Sequence, residues 1–70
     1  MRYAIVVERA ESNWAAYVPD LPGCVATGDT ADEVGRTIRE SIAHHLEGMI
    51  EDGLPIPEAS SRVEYVEVRA

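Results

Sequence analysis

Thr30-Ala31-Asp32-Glu33 forms a capping box near the middle of the chain. The Thr30 hydroxyl is placed to accept the amide proton of Glu33, and the Glu33 carboxylate to reach back to Thr30. Asp32 and Glu33 also suit the positive end of a helix dipole. Val34, Ile38, Ile42, Leu46, Met49 and Ile50 then recur at helical spacing as one apolar stripe. Arg36, Arg39, Glu40, His44, Glu47 and Glu51 lie largely off that stripe. Gly53 suits the position just past a helix end, and Pro55 prevents continuation. One helix with one apolar stripe covers only one face of a small sheet, and the flanking segments must supply that sheet.

They carry the pattern for it. Residues 2–8 and 14–18 are rich in β-branched and aromatic residues and predict two strands joined through 10–13. Tyr3, Ile5 and Val7 share one face of the first strand, with Ala4 and Val6 opposite. Trp14, Ala16 and Val18 share one face of the second, with Ala15 and Tyr17 opposite. Pro19 ends that strand, because it has no N–H to donate. Leu21-Pro22-Gly23-Cys24 fits a type II turn, with proline at the first central position and glycine at the second. Cys24 to Thr27 predicts a short third strand, closed by Gly28 and Asp29. After the helix, Leu54-Pro55-Ile56-Pro57 is extended by proline chemistry. Residues 62–69 predict a last strand with apolar side chains on both faces. The whole is a single α+β domain over 1–70.

Both leading strands are apolar on both faces, whereas a sheet with one solvated face alternates more cleanly. The second face is therefore expected to meet another chain. Size points the same way, since a chain of 70 residues buries only about 60% of its unfolded surface. With a single cysteine, Cys24, no internal disulfide is possible, and no Cys/His cluster has zinc spacing. A homodimer or homotetramer is expected, with Tyr3, Trp14 or Tyr17 in its interface.

Charge narrows the function. Thirteen acids face six bases, all arginine, for a net charge of −7. Such a domain repels phosphates and is not expected to bind nucleic acid directly, but it attracts a basic protein. His44 and His45 are adjacent, so on a helix they point about 100° apart and cannot chelate one ion together. Asp20, Asp29 and Asp32 are explained by turns and the helix start rather than by a metal-dependent catalytic site. Cys24 is expected to be a small buried hydrophobe, not a nucleophile. No catalytic residue, metal or cofactor is expected. The N-terminal apolar run is too short for a signal peptide or a membrane helix, which makes the cytoplasm the expected compartment.

The order Val18-Pro19-Asp20-Leu21-Pro22-Gly23-Cys24, Gly28-Asp29-Thr30, Asp32-Glu33-Val34 and Leu54-Pro55-Ile56-Pro57 resembles the HicB family, the antitoxins of HicA–HicB toxin–antitoxin pairs. The resemblance runs from Tyr3 to Val68. It implies a partial ribonuclease-H-like fold: an antiparallel three-stranded sheet, one helix and a further short strand. It also implies a non-catalytic protein that masks a small basic, mRNA-cleaving HicA-like toxin. The alternative is a stand-alone oligomeric domain with a structural or ligand-binding role. Many family members carry a C-terminal DNA-binding domain, and the family domain here is expected to use the chain to about Val68, as a short form. The partner or oligomer interface is expected among Tyr3, Trp14, Tyr17, Asp20, Leu21, Pro22 and Gly23. Thr30, Glu33 and Gly53 are expected to serve structure.

Overall fold

The computed structural model describes residues 1–69. Strands β1 (Val6–Arg9), β2 (Trp14–Tyr17) and β3 (Val25–Gly28) precede helix α1 (Ala31–Glu51). The strands form one antiparallel sheet in the order β1-β2-β3. Register places Val7, Ala16 and Ala26 in one cross-strand row and Val6, Tyr17 and Val25 in a neighbouring row. Successive side chains alternate between faces, so the first row faces the helix and the second faces away.

The core lies between sheet and helix. Ala16, Val18, Leu21, Cys24, Val34 and Ile38 are buried, and Tyr3, Ile5, Val7, Trp14, Ala26, Ile42 and Leu46 pack against them. The face assignments expected for the first two strands thus hold. The helix spans 21 residues, about 32 Å, while a four-residue strand spans about 13 Å. Its stripe is accordingly buried at Val34 and Ile38 and fades to 66% exposure at Ile50.

Local chemistry sets the element ends. The Thr30 hydroxyl accepts the Glu33 amide at 3.0 Å, as expected. The Glu33 carboxylate instead accepts the Asp29 amide at 3.3 Å, one residue before the expected partner. At the other end, Gly53 has φ +70°; its N–H donates to the Ile50 carbonyl, and the Leu54 N–H donates to the Met49 carbonyl. That pair of bonds is a Schellman cap. The last turn contains no basic residue. Gly28 is required by closeness: a Cβ there would lie 3.0 Å from the Val34 nitrogen, where the helix start meets the end of β3.

Two expectations need correction. The first strand is shorter than 2–8, because Val6 opposes Tyr17 and β2 then turns away. The Val18 amide donates to the Cys24 carbonyl and Pro19 has no N–H, so residues 2–5 find no ladder partner. Residues 62–69, expected as a last strand, form none among the described residues. At the root of this segment, Arg62 and Val63 line an open groove together with Ser61 and Arg2, Tyr3 and Ala4. Beyond it the backbone finds no ladder, and Tyr65, Val66 and Val68 are 80% exposed or more.

Candidate functional site

The segment between β2 and β3 is built as a rigid corner. The Cys24 amide donates to the Leu21 carbonyl at 3.1 Å and Gly23 has φ +83°, as a type II turn requires. The Leu21 amide donates to the Val18 carbonyl, giving a second turn on the same corner. Leu21 and Cys24 point into the core at 1% and 4% exposure, leaving Pro22 and Gly23 at the surface. Burial pushes the Cys24 thiol pKa up, the reverse of what a thiolate nucleophile needs.

Asp20 has a role that turn chemistry alone does not reveal. Its carboxylate accepts the Ser60 and Ser61 amides at 3.0 and 2.9 Å, and both seryl hydroxyls at 3.1 and 2.8 Å. The Ser61 amide and hydroxyl lead in holding the Asp20 carboxyl below its ordinary value of 3.8. Asp20 therefore clamps the chain after the helix onto the β2–β3 corner, forty residues away. It is occupied by that clamp rather than free to meet a basic partner. The pair Ser60-Ser61 was the available signal in the sequence, and no local spacing rule links it to Asp20.

The expected interface aromatics divide. Tyr3 and Trp14 pack against the core, and the Tyr3 hydroxyl donates to the Pro57 carbonyl at 2.5 Å, tying the N-terminal segment to the extended stretch after the helix. Tyr17 lies on the outer sheet face at 42% exposure, in the row with Val6 and the 65%-exposed Val25. A second apolar surface is the stretch Val63, Tyr65, Val66 and Val68; Tyr65 is 96% exposed. Thr30 and Glu33 lie at the start of the helix and Gly53 just past its end. Among the described residues, no group of three or more His, Cys, Asp or Glu side chains is placed to hold a metal, and no helix is long and apolar enough to cross a membrane. This arrangement offers exposed apolar surface beside acidic side chains, which is the chemistry of protein docking.

The family described as "HicB_like antitoxin of bacterial toxin-antitoxin system" matches residues 3–69. An uncharacterized 14.9 kDa protein from the rep-hol intergenic region of Haemophilus phage HP1 is 36% identical over 66 residues, covering 94% of this chain and 50% of that protein. Antitoxin HicB 2 of Photorhabdus laumondii is 34% identical over 71 residues, covering 100% of this chain and 51% of that protein. The chain thus spans about half the length of these curated relatives. A chain of the solved HicA3 and HicB3 toxin-antitoxin complex superposes with a TM-score of 0.70 and 27% identity, covering 89% of this chain and 70% of that one. A capped helix over a three-stranded antiparallel sheet, matched along nearly all its length, belongs to the HicB-like antitoxin family.

Proposed function

We propose that this chain is a non-catalytic antitoxin-type domain that binds and masks a small, basic, mRNA-cleaving HicA-like toxin in the cytoplasm, and that it does so as a homo-oligomer. The observation that carries this reading is its likeness to a chain of a toxin–antitoxin complex over 89% of its length. Charge supports it, since a net charge of −7 favours encounter with a protein that handles RNA. Glu8, Glu40, Glu47, Glu51 and Glu58 are exposed and available to such a partner. Asp20 is set aside because Ser60 and Ser61 hold it. Affinity rests on buried apolar anchors, for which Tyr17 and its row are available, while charge mainly sets the association rate. The ribonuclease-H-like relationship belongs to this proposal too, with the last strand of that fold supplied by residues 62–69 once they find a partner edge.

The test is rescue. A basic protein encoded beside this chain is induced in cells with the wild-type chain, a Pro22→Ala/Gly23→Ala variant or a Glu47→Gln variant at equal levels. Wild-type protection, a larger loss for the corner variant than for the charge variant, and an association rate that falls with salt are expected. If the wild type protects against no such neighbour, the stand-alone oligomeric reading replaces this one.

A further inference from the structure

Residues 62–69 carry exposed apolar side chains at Val63, Tyr65, Val66 and Val68 and have no strand partner among the described residues. Their root is not loose. Four hydrogen bonds from Ser60 and Ser61 to Asp20 hold it on the β2–β3 corner, and the Tyr3 hydroxyl holds Pro57. The root is thus aimed past the open groove beside Arg2-Tyr3-Ala4, and the segment contributes to an elongated outline of 48 × 26 × 16 Å. The Arg2–Ala4 wall of that groove leads along the chain into β1, whose outer edge pairs with no strand of the sheet.

We infer that residues 62–69 of one copy of this chain add as a strand to the free edge of β1 in a second copy, reciprocally. Pattern and charge both select a second copy as the occupant. In a strand, Val63 and Tyr65 would share one face and Val66 and Val68 the other. The chain entering β1 is likewise apolar on both sides, with Tyr3, Ile5 and Val7 inward and Ala4 and Val6 outward, up to the exposed Glu8 and Arg9 that end the strand. A one-faced edge would leave half of this tail exposed. The tail also carries two arginines and two glutamates, so it is neutral while the rest of the chain holds the whole charge of −7. A basic partner would be drawn to the acidic helix rather than to this segment. Two acidic copies repel least where they meet through a neutral strand. An edge strand with unpaired backbone groups is a ready template for such addition.

The inference deepens the self-association proposed above and has its own readout. The chain is studied by light scattering over a dilution series and by amide hydrogen exchange of residues 63–68. A dimer at micromolar concentration is expected, with these amides protected in the dimer and fast-exchanging once dilution gives monomer. Replacing Tyr65 and Val66 by proline removes two backbone donors at fully exposed sites, so the helix signal in circular dichroism should persist. The same change should weaken the dimer about tenfold or more. A dimer whose amides 63–68 exchange freely, or whose affinity is unmoved by the prolines, overturns the tail exchange while leaving self-association intact. Protection that is independent of concentration means that the tail closes on its own β1, and protection that appears only with an added basic toxin assigns the tail to that toxin. Either result overturns the inference, whereas a monomeric chain overturns it and self-association together.

Discussion

Ile38 and Ile50 occupy the same stripe of the helix, yet one is fully buried and the other is 66% exposed. Truncating each to alanine removes the same three carbon groups. At Ile38 the lost transfer free energy is about 2.4 kcal/mol, at about 0.8 kcal/mol per buried methylene. The site is enclosed by Val34, Leu21, Cys24 and the sheet, so incomplete collapse adds a cavity cost and brings the total to about 3–4 kcal/mol. At Ile50 the cost should stay under about 0.5 kcal/mol. A 70-residue domain has a total stability of about 3.5–10 kcal/mol, so Ile38→Ala removes a large share of it. Urea denaturation followed by helix circular dichroism measures both variants, at one fixed protein concentration because association stabilises by mass action. Equal midpoint shifts for Ile38→Ala and Ile50→Ala would refute the account of a stripe that loses its cover toward the C-terminal end.

Three further outcomes follow from other parts of the fold. Thr30→Ala should cost about 1 kcal/mol through loss of the cap to the Glu33 amide, and Thr30→Ser should retain most of that; the same denaturation assay reads both. Gly28→Ala should destabilise by about 1–3 kcal/mol, because its Cβ meets the Val34 backbone. Gly35→Ala, where a Cβ meets nothing within 4 Å, should stabilise by up to about 1 kcal/mol through helix propensity. The Asp20 clamp should be pH-dependent. Its carboxyl is lowered from 3.8 in the folded state, so the clamp is intact at neutral pH and is lost as pH falls through that lowered value. Proton NMR of Ser60 and Ser61 should show this release on acid titration, and Asp20→Asn should show it at pH 7; unchanged amide shifts in Asp20→Asn would mean the clamp does not hold the tail.

The helix ends, the type II corner and the inward faces of the strands were legible because each is set by local chemistry. Thr30 and Gly53 act within one turn of themselves, Gly23 acts through its own φ, and Trp14, Ala16 and Val18 declare their face by alternation. What was not legible depends on distance. Nothing near Asp20 reveals that Ser60 and Ser61 will complete its hydrogen bonds. The β propensity of 62–69 predicts a strand, and none forms among the described residues, because a strand exists only where an edge receives it. Alternation reports a side chain's face and is silent on whether the ladder partner lies in the same chain. Tyr3 illustrates the same limit: alternation gives the face of its ring, while no local signal marks the bond from its hydroxyl to the Pro57 carbonyl.

The mismatch between a helix of 21 residues and strands of four also has a dynamic consequence. Opening free energies within one domain range from near zero to the global value, and they track how much packed apolar surface an opening exposes. From Val34 to Ile38 any opening uncovers the centre of the core. From Met49 to Glu51 it uncovers almost nothing, and the acids Glu51 and Asp52 face the negative end of the helix dipole with no arginine in the turn to offset them. The Schellman cap fixes the shape of that end without anchoring it. Amide exchange should therefore run slow to fast along the helix, so that fraying at its C-terminal end leaves the fold around Val34 and Ile38 undisturbed.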